Sequence, residues 1–281
     1  MEEIVYLNGE FIPYSEAHIQ IDDRGYNFAD GVYEVVAVYN GKPFMMEDHF
    51  IRLQNSAQAL EINFNDYRPL MKDALALLEK RIKYIEGAAK IYIQITRGDQ
   101  PRGHVYQENL SPNILIFVQE LAIHHDKNFK EGVTAITAPD ERWPKCYIKS
   151  IALLPNIMTK KKARRAGAFE AIQIKDGYIT EGTSSNVFIV KDDVIYTPPA
   201  TNYILNGITR RLIIEEAKKL GFKMTEKSIS YYQLFEADEV FLTGTTTEIM
   251  PIIEIDGKQI NEGQVGPYTR RLFEHYRTLQ G

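Results

Sequence analysis

The chain reads as an α+β fold of two domains built on largely antiparallel sheets. Four Asn-Gly or Asp-Gly pairs stand between short strand-like runs, as in Tyr6-Leu7-Asn8-Gly9-Glu10-Phe11, Tyr39-Asn40-Gly41-Lys42, Lys175-Asp176-Gly177-Tyr178 and Ile255-Asp256-Gly257-Lys258. These dipeptides tolerate the positive φ that two-residue hairpin turns require. Apolar residues recur at helical spacing elsewhere. Strands and helices do not alternate regularly, which argues against a doubly wound sheet.

The first helix is predicted from Phe50, Leu53, Ala57 and Leu60, and the second from Leu70, Ala74 and Leu77 or Leu78. A third spans residues 208–220 and stops at Gly221, and Pro267 opens a last one carrying Leu272, Tyr276 and Leu279. After the apolar strand Ile114–Val118 the chain turns polar at His124-His125-Asp126-Lys127-Asn128. This predicts a smaller domain over 1–121, a linker over 122–130 and a larger domain over 131–281.

A length of 281 residues suffices for a substantial core, and 44% hydrophobic with 25% charged residues is a globular composition. A net charge of −5 gives no electrostatic footprint for nucleic acid. The basic run Lys160-Lys161-Lys162 with Arg164 and Arg165 reads as a solvated helix face. One cysteine, Cys146, excludes an intrachain disulfide and a cysteine-rich zinc site. It fits a reducing compartment, so a cytoplasmic location is expected. No apolar run is long enough to span a membrane. The acidic start Met1-Glu2-Glu3 is unlike a secretory signal. The histidines show no metal spacing, and no metal is expected.

Four segments carry chemistry. In Cys146-Tyr147-Ile148-Lys149-Ser150-Ile151, a strand would place Tyr147, Lys149 and Ile151 on one face. A lysine amine attacks an aldehyde in its neutral form. The second is Thr180-Glu181-Gly182-Thr183-Ser184-Ser185-Asn186-Val187-Phe188. A carboxylate such as Glu181 beside a pyridine nitrogen favours its protonated form and strengthens an electron sink. The third, Leu205-Asn206-Gly207-Ile208-Thr209-Arg210, places a glycine and a hydroxyl at a helix start, where free N–H groups suit an anion. The fourth is Thr243-Gly244-Thr245-Thr246-Thr247-Glu248-Ile249, where Thr245 and Thr246 can add donors. Arg52, on an amphipathic helix, reads as a phosphate cation or as a surface arginine. There is no Gly-x-Gly-x-x-Gly and no Walker element, so nucleotide readings lose support.

In this order the segments resemble the fold-type IV aminotransferases, over nearly the whole chain from Tyr6 to about Phe273. The resemblance implies pyridoxal 5′-phosphate held between two α/β domains. It implies that Lys149, in the larger domain, is the Schiff-base lysine and that Glu181 holds the pyridine nitrogen. Arg52, Gly207, Ile208, Thr209, Thr245 and Thr246 would bind phosphate, and Leu205 would pack against the ring. Gly31-Val32-Tyr33-Glu34-Val35-Val36 and Pro101-Arg102-Gly103-His104 resemble the D-amino-acid-specific branch. There Tyr33, Arg102 and His104 would trap the substrate carboxylate, with Arg102 and His104 reaching the partner's site in a homodimer. A guanidinium pairs bidentately with a carboxylate, which suits that role.

Transamination between a D-amino acid, such as D-alanine, and a 2-oxo acid, such as 2-oxoglutarate, is the activity implied. The alternatives on the same fold are an L-branched-chain aminotransferase, an R-selective amine transaminase and an aminodeoxychorismate lyase. A catalytically silent binder of the cofactor is the alternative from another class. Branched-chain enzymes carry a Phe-Glu-Gly-x-Arg type segment near the position of Tyr33, which is absent here, and the lyases generally lack the Arg-x-His pair. Pro155 departs from the glycine usual in the D-specific enzymes and is expected to alter the loop after Lys149.

Overall fold

The structure, a computed structural model, describes residues 3–121 and 125–280. Its internal contacts divide it into two units: Met1–Ala122 with Ile148–Ala152, and Ile123–Tyr147 with Leu153–Gly281.

The first unit contains, in chain order, β1 (Ile4–Leu7), β2 (Glu10–Pro13), α1 (Arg24–Phe28), β3 (Gly31–Tyr39), β4 (Lys42–Pro43), α2 (Met46–Ala59), α3 (Arg68–Arg81), β5 (Ala89–Thr96) and β6 (Asn113–Glu120). Its sheet runs β2-β1-β6-β5-β3-β4, with every neighbour antiparallel. The hairpins turn where the sequence predicts: Asn8 and Gly9 have φ of 50° and 101°, and Asn40 and Gly41 have 51° and 76°. The predicted helical stripes become the inner faces of α2 and α3. Phe50, Leu53, Ala57, Leu70, Ala74 and Leu77 pack over Val32, Val36, Ile91, Ile93 and Ile116.

The second unit contains α4 (His125–Glu131), β7 (Val133–Pro139), α5 (Leu154–Arg165), β8 (Glu170–Lys175), β9 (Tyr178–Gly182), β10 (Asn186–Lys191), β11 (Val194–Thr197), α6 (Ile208–Lys219), β12 (Lys223–Glu226), α7 (Tyr231–Phe235), β13 (Glu239–Gly244), β14 (Glu248–Ile255), β15 (Lys258–Gln259) and α8 (Pro267–Leu279). Its nine-stranded sheet runs β12-β11-β10-β13-β14-β7-β8-β9, with β15 on β14. Three pairs are parallel, β11/β12, β14/β7 and β7/β8, and the rest are antiparallel. A crossover is needed to join β7 to β8 in parallel, and α5 supplies it.

Three expectations change. First, Ile148–Ala152 belongs to the first unit, so Lys149 lies there and not in the larger one. The cause is local: Ile148 is buried in the first unit's core, Tyr33 N–H donates to Lys149 O at 3.0 Å, and Ile151 N–H donates to Gly31 O at 3.0 Å. Second, Cys146 and Tyr147 form a turn, and only Ser150 makes a β-bridge, to Val32. The inside-outside alternation survives without a strand, with Cys146 and Ile148 buried and Tyr147 exposed. Third, the linker over 122–130 starts at residues 122–124, outside the described residues, and continues as α4. The polar run there belongs to a helix whose Phe129 is buried and stacks on Phe273 at 3.7 Å. Pro155 sits in the first turn of α5, where a missing N–H costs no hydrogen bond.

Phe50 is fully buried among Leu53, Val36 and Ile91. Phe50→Ala is expected to cost about 3–5 kcal/mol of stability, read from urea unfolding. A loss below ~1 kcal/mol would mean that this core closes over the missing ring.

Candidate active site

β3 sets the first cluster. Its alternation turns Val32, Glu34, Val36 and Val38 to the helices and Tyr33 to the opposite face. The backbone of Lys149 is pinned on both sides, its N–H donating to Ser56 Oγ at 3.2 Å and its carbonyl accepting from Tyr33. Lys149 Nζ then stands 4.1 Å from the centre of the Tyr33 ring, a cation–π distance. Tyr33 stacks on Tyr92, and Tyr92 on Phe117.

Arg52 projects from α2 toward β3. Its Nε and Nη2 bond to the two oxygens of Glu34 at 2.6 and 3.0 Å, and His49 Nδ1 meets the same carboxylate at 2.7 Å. Burial opposes the charge on Glu34, but Arg52 and His49 outweigh it and hold the carboxyl well below the usual range. For His49 the balance goes the other way, and burial lowers its pKa despite Glu34.

Arg102 and His104 are exposed on the loop after β5. Arg102 Nη1 donates to Asn27 Oδ1 at 3.1 Å and its guanidinium lies 4.6 Å from the Phe28 ring centre, while His104 meets the same ring edge-on at 5.9 Å. The loop rests on a buried frame. Arg24 donates to the carbonyls of Gly103 and His104 and pairs with Asp30, which also pairs with Arg97. Gln100 adds bonds to Val105 and Gln107. The structure gives Arg102 and His104 no bond or ring contact with Tyr33 or Lys149 within one chain. A cavity of about 420 Å³ lies on the Tyr33 face of the sheet, lined in part by Leu7, Gln94, Leu115 and Phe117, and includes none of the predicted site residues.

The second cluster belongs to the second unit and centres on Glu181, at the end of β9. One carboxylate oxygen accepts from Arg142 Nη1 at 2.5 Å, and the other from Asn186 Nδ2 at 2.9 Å and the Leu205 N–H at 3.1 Å. Arg142 is held in turn by Asp140, at 2.9 Å to Nε and 2.7 Å to Nη2, and by the Tyr203 carbonyl at 3.1 Å. Thr180 donates to Asp140 at 2.7 Å. Burial pushes the Glu181 carboxyl up to about 7, against the pull of Arg142. Arg142 itself stays charged, because Asp140 and Glu181 overcome its burial.

Asn186 links this carboxylate to the turn before α6. Its Nδ2 also donates to Leu205 O at 2.9 Å, and a Cβ on Gly207 would fall 2.2 Å from its Oδ1. The position therefore requires glycine. Gly207 is the N-cap of α6 and supplies no side-chain cap, so the first-turn N–H groups, with Ile208 and Thr209 buried beside them, are offered outward. Thr245 and Thr246 lie in the β13–β14 turn, half-buried and exposed respectively. A pyridinium and a phosphate fit these groups: a desolvated carboxylate to accept from a ring N–H and an uncapped helix end to donate to an anion. Sequence reasoning missed Glu34, His49, Asp140, Arg142 and Asn186. Asp140-Glu141-Arg142 follows a strand as a charged turn, which carries no signal of its own. No group of side chains fit to hold a metal, and no helix long and apolar enough to cross a membrane, occurs among the described residues.

In the first unit a lysine stands near a tyrosine, and in the second a buried carboxylate lies beside an uncapped helix end. The amino-transferase class IV model matches residues 31–255, and the chain belongs to the class IV aminotransferases. It is 43% identical to the D-alanine aminotransferase of Bacillus licheniformis, over 95% of this chain and 94% of that protein. It is 42% identical to the D-alanine aminotransferase of Listeria monocytogenes, over 97% and 94%. Among solved structures, the branched-chain amino acid aminotransferase of Escherichia coli matches with a TM-score of 0.91 at 29% identity, over 99% of this chain and 95% of that one.

The pH dependence of Glu181 follows from its environment. Its folded pKa of about 7 lies above its ordinary 4.5, so between those values the folded protein binds more protons than the unfolded chain. Stability of the cofactor-free protein therefore falls as pH rises from 4.5 through 7. Glu181→Gln is expected to flatten that slope in thermal melts of the cofactor-free protein, and an unchanged slope would assign the titration elsewhere.

Proposed function

We propose that the chain transfers the amino group of a D-amino acid, such as D-alanine, to a 2-oxo acid, such as 2-oxoglutarate, with pyridoxal 5′-phosphate as cofactor. The observation that carries this reading is near-full-length identity of 40–43% to relatives named D-alanine aminotransferase, against 28–30% to the branched-chain enzymes of similar fold. One of those branched-chain enzymes was solved with N-(5′-phosphopyridoxyl)-L-glutamate, a derivative of that cofactor, which supports the cofactor assignment.

Lys149 would hold the cofactor covalently through Nζ, as the Schiff-base lysine. Glu181, kept in place by Arg142 and Asn186, would hold the pyridine nitrogen protonated. The first turn of α6 after Gly207, with Ile208 and Thr209, would take the phosphate together with Thr245, Thr246 and Arg52, and Leu205 would lie against the ring. When bound, pyridoxal phosphate withdraws electrons from the substrate α-carbon and so makes its C–H bond acidic. The Lys149 amine would take up that α-carbon proton at Nζ and later give it back from Nζ, acting first as base and then as acid. Its backbone is fixed by Ser56 and Tyr33, so the amine moves on its own side-chain torsions.

Tyr33, Arg102 and His104 would bind the α-carboxylate. Arg102 and His104 belong, in this reading, to the partner's site in a homodimer. Their exposure, and the lack of contact with Tyr33 and Lys149 in their own chain, support that assignment. A cytoplasmic location completes the proposal, supported by the single, buried free thiol of Cys146.

Lys149→Ala should lower turnover by about 10⁴-fold or more while leaving the melting temperature of the cofactor-free protein near that of the wild type. Residual turnover within tenfold of wild type would refute the role of Lys149. The absorption band of purified protein should bleach with D-alanine and persist with L-leucine in a parallel sample. Bleaching with L-leucine alone would move the reading to a branched-chain enzyme, the activity named for the structural neighbours.

A further inference from the structure

Glu34 occupies a position that the strand pattern reserves for an aliphatic side chain. Val32, Val36 and Val38 share its face of β3, and all four residues are fully buried. A carboxylate there gives up its hydration, and apolar replacement of a buried ion pair commonly leaves a fold as stable or more so. Core packing alone therefore does not account for it. What the carboxylate does is geometric. It engages the Nε and Nη2 edge of Arg52 side-on with two bonds, which fixes the guanidinium in plane and in rotation. His49, itself buried on the same helix, holds the second oxygen of Glu34 and stops the carboxylate from turning away.

We infer that Glu34 is a positioning residue for cofactor binding: through Arg52, and braced by His49, it presents one fixed guanidinium to the cofactor phosphate. The inference rests on the reading that Arg52 takes that phosphate. Glu34 makes no contact with the cofactor in this account, so its effect must travel through Arg52 and must depend on the ligand carrying a phosphate.

The test is a double-mutant cycle read with two ligands. Dissociation constants for pyridoxal phosphate and for phosphate-free pyridoxal are measured by absorption titration on the full chain, for wild type, Glu34→Gln, Arg52→Met and the double variant. Glu34→Gln is expected to weaken pyridoxal phosphate by about 10–100-fold, the range seen when partners that orient binding groups are removed. Pyridoxal should change by less than about twofold, and the double variant should bind pyridoxal phosphate no worse than Arg52→Met alone. Equal loss for both ligands would make Glu34 merely structural and overturn the inference. So would a Glu34→Gln penalty that persists undiminished beside Arg52→Met. If Arg52→Met leaves the preference for pyridoxal phosphate intact, the assignment of Arg52 to the phosphate falls first, and the inference with it. Should Glu34→Gln not fold, Glu34→Asp keeps the charge but shortens its reach by one methylene, and it is read by the same criteria.

Discussion

The alternation of β3 governs the first unit. One face of this strand closes the core beneath α2 and carries Glu34 with its two partners, and the other presents Tyr33. Its main chain does a third job, receiving the segment Ile148–Ala152 through bonds at Gly31 and Tyr33. A shift of register by one residue would exchange the two faces, placing Tyr33 in the core and Glu34 outside. Eight paired positions with β5, from Gly31↔Thr96 to Val38↔Ala89, hold the register against that. The placing of Lys149 over the Tyr33 ring is thus a consequence of sheet pairing, several bonds removed from the lysine itself.

In the second unit a different constraint rules, the satisfaction of a buried carboxylate. Glu181 receives a guanidinium, an amide and a backbone N–H, and each donor is itself tied down. Asp140 orients Arg142, and Leu205 O orients Asn186. Such a network is rigid because each member left unpaired would carry the cost of desolvation. It also keeps the Leu205–Gly207 turn in step with the carboxylate, since Asn186 contacts both.

The parts of this architecture that depend on neighbours in sequence were readable from it. Asn-Gly and Asp-Gly turns need positive φ at two successive residues whatever surrounds them, and all four are found with it. Helical stripes such as Phe50-Leu53-Ala57 announce their buried face by spacing alone. Lys149 and Glu181 stand out in the sequence through motif order. Arg142 does not, because it meets Glu181 across 39 residues and its own surroundings look like a charged surface turn. Glu34 lies on the buried face of Val32 and Val36, but nothing local betrays its partners His49 and Arg52 on a later helix. The segment around Lys149 alternates like a strand but lies against β3 for only a few residues. Its unit is decided by where Ile148 is buried, a long-range fact.

That short segment also limits how the protein could be divided. The chain passes out of the first unit, returns for Ile148–Ala152 alone, and leaves again. A gene cut after the first unit's last contiguous strand would yield a fragment whose β3 lacks its partner at Gly31 and Tyr33, an open edge of the kind that recruits other chains. The complementary fragment would carry Ile148 without the core that buries it. Neither half is an independent module for recombination, so fusions, permutations and domain exchanges in this fold must carry the five residues Ile148–Ala152 with the sheet they complete.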